Sequence, residues 1–237
     1  MKWARTDIIQ GTTEWRLARL GRFTSSRIGD LMKPGRKNTR FGSVASDYID
    51  KIIGERMIDH NNILVPDEWD ELFDELEPRP SKAMRRGLEL EPLARAAWAG
   101  YIGDAYEVER GGFLQTEDGL CGDSPDAVAY AGGLPSLAAE IKCPGVGVHA
   151  KALYMVRDND SLFDFNSVYY WQCMMHIWAT GCHACDFVSY DPRCRVALHV
   201  VRIRRDEEAI DKMRLRVMEA EEEITRRLEA IDKAGRQ

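Results

Sequence analysis

The segment Ser124 to Pro144, SPDAVAYAGGLPSLAAEIKCP, sets Asp126 at the head of one apolar run and Glu140-Ile141-Lys142 inside the next. Charges within strand-like runs are expensive unless something pairs with them. In a strand, residues two apart share a face, so Glu140 and Lys142 project together while Ile141 turns the other way, into the core. If the run near Asp126 is the neighbouring strand, its carboxylate converges on that pair. Two carboxylates at a sheet edge offer hard oxygen ligands suited to Mg²⁺ or Mn²⁺, and the Ile141 carbonyl is available as a further ligand. A lysine beside them can hold an attacking water or offset charge on a phosphoryl oxygen. The same spacing also suits a Glu–Lys cross-strand ion pair and an Asp in an ordinary Ser-Pro-Asp turn. Spacing alone leaves both readings open.

The elements that must position these residues follow from hydrophobic period and punctuation. TEWRLARLG reads as a short helix closed by Gly21, and SSRIGDLM as another with Ser/Thr capping. KPGRKNTRFG reads as a loop. Val44, Tyr48, Ile52 and Ile53 recur at helical spacing between Ser43 and Met57, and a further helix is expected from Ser81 to about Tyr101, kinked or restarted at Pro92. The period then shortens. YEVERGGFLQT, LCGDSPDAVAYA and SLAAEIKCP read as three strands of an antiparallel meander. A helix from Asn166 to Thr180, ended by Gly181, is followed by the strands CDFVSYD and ALHVVRIRR and by a long terminal helix over about 206–234. The expected fold is therefore α/β, a mixed central sheet flanked by helices, in one domain over 1–237 with its core at about 14–208.

The 237 residues are 44% hydrophobic, enough for one sizeable core. No apolar stretch approaches the roughly 20 residues that span a bilayer, and MKWARTDIIQ lacks the apolar core of a signal peptide, so a cytoplasmic protein without membrane association is expected. Six cysteines in such a setting read as reduced thiols. Cys182 and Cys185, with Cys173 and His176 nearby, form a single CxxC without the second spaced pair a zinc site needs, and Cys173, His176 and Ile177 suit a mostly apolar helix. Net charge is −6. Acids crowd into Pro66 to Glu77 and Glu219 to Glu223, whereas bases gather in Lys33 to Arg40, Lys82 to Arg86 and Arg202 to Arg205, which allows a basic cleft on an acidic protein. Lys33, Arg36, Lys37 and Arg40 lie on a loop able to follow a duplex, with Arg36 the candidate for minor-groove contact. Trp69, Leu72, Phe73 and Leu76 form an apolar stripe through the acidic segment that reads as core or as a partner-docking face. Ile210, Val217, Ile224 and Ile231 recur every seven residues, as a subunit seam or as packing on the same domain.

The pieces EWRLARLGRFTSS, RRGLELEPLARAAW, CGDSPDAV, AEIKCP, YYWQCMMHIWATG, CDFVSYDPR and VVRIRRDEE occur in the order found in the phage lambda-type exonucleases. The chain resembles that YqaJ-like viral recombinase family of the PD-(D/E)XK nuclease superfamily from Glu14 to about Glu208. The resemblance implies a restriction-endonuclease-like core in which Asp126 and Glu140 are metal ligands and Lys142 is the catalytic lysine. It further implies that Glu91 is the helix carboxylate approaching the metal, that Gln172 lies near the nucleophile, and that Arg19 and Ser26 hold a DNA 5′-phosphate. Glu89, on the same helix as Glu91, is read as a solvated acid. The family usually has Gly after SPD where this chain has Ala127, and the acidic segment Asp67 to Glu77 has no matched counterpart.

The activity so implied is Mg²⁺-dependent digestion of double-stranded DNA ends from 5′ to 3′, with Mn²⁺ able to substitute. It would release mononucleotides and leave a 3′ single strand for a single-strand annealing recombinase. A homotrimeric ring, encoded by a phage or prophage and working in the bacterial host cytoplasm, is implied as well. The rivals are a sequence- or structure-specific endonuclease of the same fold and a catalytically silent DNA-end-binding module. The joint presence of Asp126, Glu140 and Lys142 speaks against the last.

Overall fold

A computed structural model of the chain describes residues 1–36, 39–59, 62–63, 66–76 and 81–235. Lys37 and Glu77, named above, lie outside them. In chain order the elements are β1 (Trp3–Thr6), α1 (Thr13–Arg19), β2 (Phe23–Thr24), α2 (Ser25–Leu31), α3 (Ser43–Arg56), α4 (Pro66–Leu76), α5 (Lys82–Ile102), β3 (Glu107–Glu109), β4 (Phe113–Thr116), β5 (Cys121–Asp123), β6 (Ala127–Ala131), β7 (Leu134–Lys142), α6 (Val146–Met155), α7 (Asn159–Phe165), α8 (Ser167–Thr180), β8 (Ala184–Tyr190), β9 (Leu198–Arg204) and α9 (Glu207–Gly235).

The main sheet runs β3-β6-β7-β8-β9, with β7 and β8 parallel and the other pairs antiparallel. A parallel pair needs a crossover, and here α6, α7 and α8 supply it. Both faces are covered. Leu137, Ala139 and Ile141 pack with Ala94 and Trp98 of α5, whereas Ala138 belongs to the larger core built with α2, α3, α8 and α9. β7 is thus the middle strand of the sheet, not an edge. Its carboxylate and lysine sit at its C-terminal end, which corrects the expectation of a sheet-edge site.

The expected three-strand meander is also corrected: the region makes five strands in two sheets, the second ordered β1-β4-β5-β2. Two breaks cause this. Gly111 crosses so close to the turn after β5 that a Cβ there would lie 2.0 Å from the Pro125 carbonyl oxygen, and Gly112 has φ of 68°. Ser124-Pro125 then interrupts β5 from β6, since proline has no N–H for a ladder.

Helix ends follow their caps. Thr12 accepts from Trp15 N at the start of α1, Ser81 from Met84 N at α5, and Asn166 from Val168 N at α8, which closes on left-handed Gly181. α5 continues through Pro92 as one helix. Along α9, Ile210, Val217 and Ile224 are buried in the chain's own core and Ile231 is 40% exposed. The seven-residue repeat therefore serves packing within the domain. Phe73 of α4 is buried, stacked on Trp69. No described helix is long and apolar enough to cross a membrane.

Candidate active site

Strand register brings the opening motif together. β6 and β7 pair with Ala127 opposite Ala139, and Asp126 N donates to the Ala139 carbonyl. This places Asp126 beside the end of β7, where its Oδ2 accepts from Ile141 N at 2.6 Å. Glu140 is buried and its Oε1 is in contact with the Lys142 ammonium. Lys142 Nζ also lies 5.1 Å from the centre of the Tyr169 ring. Because residues i, i+3 and i+7 share a helix face, α8 presents Tyr169, Gln172 and His176 as one stripe, and Gln172 is buried.

α5 contributes from the opposite side of the sheet. Glu91 Oε1 pairs with Arg95 at 3.4 Å, and Arg95 donates to the Asp126 carbonyl at 3.0 Å. The helix carboxylate is thereby tethered to the SPD turn through one arginine. Glu89 is exposed, as the reading of a solvated acid requires. Arg86 fixes the same helix to the exit of β7, donating to the Cys143 and Pro144 carbonyls and pairing with buried Asp191.

His176 and Asp123 were not singled out as site residues by the motif. His176 Nε2 lies 2.7 Å from Glu140 Oε2, and its Nδ1 lies 2.9 and 3.0 Å from the two Asp123 oxygens. Its place one helical turn after Gln172 is the signal that could have found it. This histidine lies on the mostly apolar helix expected for it, and there it is the polar residue that reaches Glu140 and Asp123. The nearby Cys173, Cys182 and Cys185 are buried free thiols.

The electrostatics follow from burial and crowding. Desolvation and then the Glu140 charge push Asp126 up to about 7. Burial works to raise Glu140 too, but Lys142 and His176 outweigh it and hold Glu140 at about 2. Burial opposes the charge on Lys142 and on His176. Glu140 and Asp126 nevertheless raise Lys142 above its ordinary value, and Asp123 and Glu140 raise His176 well above its own.

The donor set fits a hard divalent cation. Among the described residues no three His, Cys, Asp or Glu side chains form a ready-made metal cage. Glu140 Oε1 faces the Lys142 ammonium and Oε2 is held by His176, and burial and then the Glu140 charge push Asp126 up to about 7. A cation beside both carboxylates would take hard oxygen ligands and favour the ionised form of Asp126.

A second polar region lies along α1 and α2. Arg19 Nη2 donates to Ser26 Oγ at 2.9 Å, and the Arg19 guanidinium stacks 4.2 Å from the centre of the Trp15 ring. Trp15 in turn donates to Ser124 Oγ at 2.8 Å. Arg16, Arg19, Arg22, Arg27 and Lys51 line a cleft of about 480 Å³ that α4 borders through Phe73, Asp74 and Leu76. Arg36 is exposed in the turn after α2, its carbonyl accepting from Thr39. The structure thus brings Asp126, Glu140, Ile141, Lys142 and Glu91 together, joins Arg19 to Ser26, and leaves Arg36 on the loop apart from both groups.

A family profile described as YqaJ-like viral recombinase domain matches residues 14–183. Among solved structures, an alkaline exonuclease (LHK-Exo) from Laribacter hongkongensis is similar at 27% identity and a TM-score of 0.72, over 94% of this chain and 98% of that one. The same figures hold for that exonuclease in complex with dAMP. A phage-related exonuclease from Haemophilus somnus 129PT shares the fold, with 16% identity and a TM-score of 0.63 over 89% of this chain and 96% of that one. No curated protein sequence matches the chain significantly.

Proposed function

The chain belongs to the YqaJ-like viral recombinase domain family, with the PD-(D/E)XK-type exonuclease fold of a nuclease that works on DNA, and on that premise we propose that it digests double-stranded DNA from 5′ ends, one nucleotide at a time. Asp126 and Glu140, with the Ile141 carbonyl, would hold Mg²⁺ or Mn²⁺, and Glu91 would approach it. When bound, such an ion supplies charge for the phosphoryl oxygens and lowers the pKa of a water. The residues of the chain do the remainder. Lys142, held charged by Glu140 and Asp126, positions the water and offsets phosphoryl charge; an ammonium so stabilised does not serve as a base. Gln172, on the same helix face as Tyr169 and His176, orients the nucleophile.

The observation that carries this reading is the Arg19–Ser26 pair bound through Trp15 to Ser124, two residues from Asp126. A guanidinium and a hydroxyl are good phosphate ligands, and here they are built onto the turn that presents the acidic residue. A cleft lined by phosphate ligands of this kind supports an end-directed nuclease over one cutting within a duplex. The Laribacter exonuclease in complex with dAMP, a mononucleotide, supports mononucleotide release. Arg36 would contact the minor groove. A ring of three copies would place the basic residues in a channel and the net negative charge outside, and the 3′ strand left behind would pass to an annealing recombinase.

The test is digestion of a linear duplex carrying distinct labels at its 5′ and 3′ ends, with Mg²⁺, beside the same DNA as a covalently closed circle. Early release of the 5′ label as mononucleotide and an untouched circle are expected. Cutting of the circle would establish the endonuclease alternative, and no loss of either label would establish the silent end-binding one.

A further inference from the structure

The Asp123–His176–Glu140 chain has a geometry that packing alone does not require. All three side chains are at least 97% buried. Both imidazole nitrogens face carboxylate oxygens, at 2.7 Å on one side and 2.9 and 3.0 Å on the other. An ionised carboxylate only accepts, so a ring nitrogen facing one donates to it, and carboxylates on both sides fix the ring orientation. The consequence falls on Glu140. Its Oε2 is taken by His176, while Oε1 is the oxygen that faces the Lys142 ammonium.

We infer that His176 is a positioning residue: braced from behind by Asp123, it fixes the Glu140 carboxylate so that Oε1 remains the oxygen offered to a divalent cation. The inference rests on the proposed role of Glu140 as a metal ligand. Lys142 alone does not provide this, because it contacts the same oxygen and leaves rotation about the carboxylate axis open. Helix α8 is the lever. Asn166 and Gly181 cap its two ends, and the helix carries Gln172 on the same face, so one rigid element sets a ligand and orients the nucleophile.

The two amide replacements of histidine separate positioning from packing. In His176→Gln the amide nitrogen reaches about where Nε2 stood and can still donate to Glu140. In His176→Asn it reaches only the Nδ1 position, toward Asp123. Both remove the ring and its charge, so their difference isolates the bond to Glu140. Calorimetric titration of each DNA-free protein with Ca²⁺ should show the Asn variant binding about 10-fold or more weakly than the Gln variant, the range seen when a partner behind a metal ligand is lost. With Mg²⁺ and DNA, the deficit should fall on kcat more than on KM. Equal Ca²⁺ affinities in two folded variants would overturn the inference. Glu140→Gln serves as the control: unchanged Ca²⁺ affinity there would refute the metal-ligand reading itself, whereas loss there with equal Asn and Gln variants would sink only the role of His176.

The wild-type protein supplies a measurement that needs no variant to fold. With ¹⁵N-labelled histidine, the Nε2–H of His176 should be protected from exchange and should shift as Ca²⁺ is added, with the midpoint found by calorimetry. A resonance unmoved at saturating Ca²⁺ would show that Glu140 does not transmit binding to the ring, and the positioning role would fall.

Discussion

Replacing Asp126 by Asn should make the metal-free protein more stable at pH 8. Asp126 is pushed from an ordinary 3.8 up to about 7 by burial and by Glu140. Full conversion of that displacement gives about 4 kcal/mol against the ionised form. Asp126 is partly exposed, and water screens part of the repulsion, so about 2 kcal/mol is the working figure. The asparagine carbonyl can still accept from Ile141 N, which preserves the one hydrogen bond to the side-chain oxygen. For a chain of this size, about 2 kcal/mol corresponds to a melting temperature higher by about 4–8 °C.

The pH dependence carries the sign. Below about pH 4 both folded and unfolded Asp126 are protonated, and the residue contributes nothing. Between its ordinary value and about 7, the unfolded chain releases the proton that the folded protein keeps, so wild-type stability falls as pH rises. Above that window the full penalty is present. Thermal unfolding of both proteins in EDTA should therefore show a small gap at pH 4 and the full gap at pH 8, with the variant inactive in Mg²⁺ at pH 8. A variant less stable than wild type at pH 8, or a gap that does not change with pH, would refute the picture of two crowded carboxylates awaiting a cation.

Other outcomes follow from the same geometry. Lys142→Ala should bind Ca²⁺ and DNA near wild-type affinity and lose activity in the single-turnover chemical step; a defect confined to DNA binding would contradict its role. Apparent Ca²⁺ affinity, measured by calorimetry, should fall by up to about tenfold per pH unit below about 7, where Asp126 must first lose its proton, and level off above. Ca²⁺ should support DNA binding without turnover, since it takes the same oxygens at longer, looser distances, and rapid digestion in Ca²⁺ alone would point to a different arrangement. Duplexes with 5′-hydroxyl ends should be digested more slowly than phosphorylated ones in single turnover, and Arg19→Ala should remove that preference by slowing the phosphorylated substrate.

The sequence made α1, α2, α3, α5, α8, α9, β8 and β9 legible because their signals are local, whereas β1, β2, α6 and α7 are absent from its reading. Thr12, Ser81, Asn166 and Gly181 each stand next to what they terminate. What it hid was set by distant contacts. The break between β3 and β4 depends on Pro125 crossing Gly111, and the central place of β7 depends on β8, which arrives only after three crossover helices. The site divides in the same way. Asp126, Glu140 and Lys142 fall within one hairpin, so strand period alone brings them together. Asp123 and His176 are 53 residues apart, and on a helix as apolar as α8 a histidine carries no local mark of the carboxylates it will meet.

Trp15 shows how two such groups become one device. Its indole donates to Ser124 Oγ, and its ring face carries the Arg19 guanidinium, which in turn reaches Ser26. Each contact is individually modest, about 1 kcal/mol for the hydrogen bond. Together they join α1, the start of α2 and the SPD turn through side chains with little freedom to move independently. A nuclease that advances one nucleotide at a time from an end needs a fixed distance between the group that holds the terminal phosphate and the group that acts on the next bond. Trp15→Phe keeps the ring beneath Arg19 and removes only the donor to Ser124. Under the proposed function it should leave the affinity for phosphorylated ends near wild type while lowering the single-turnover rate, because the pocket survives but its registration with Asp126 loosens. Loss of end affinity at an unchanged rate would show instead that Trp15 serves the phosphate pocket alone.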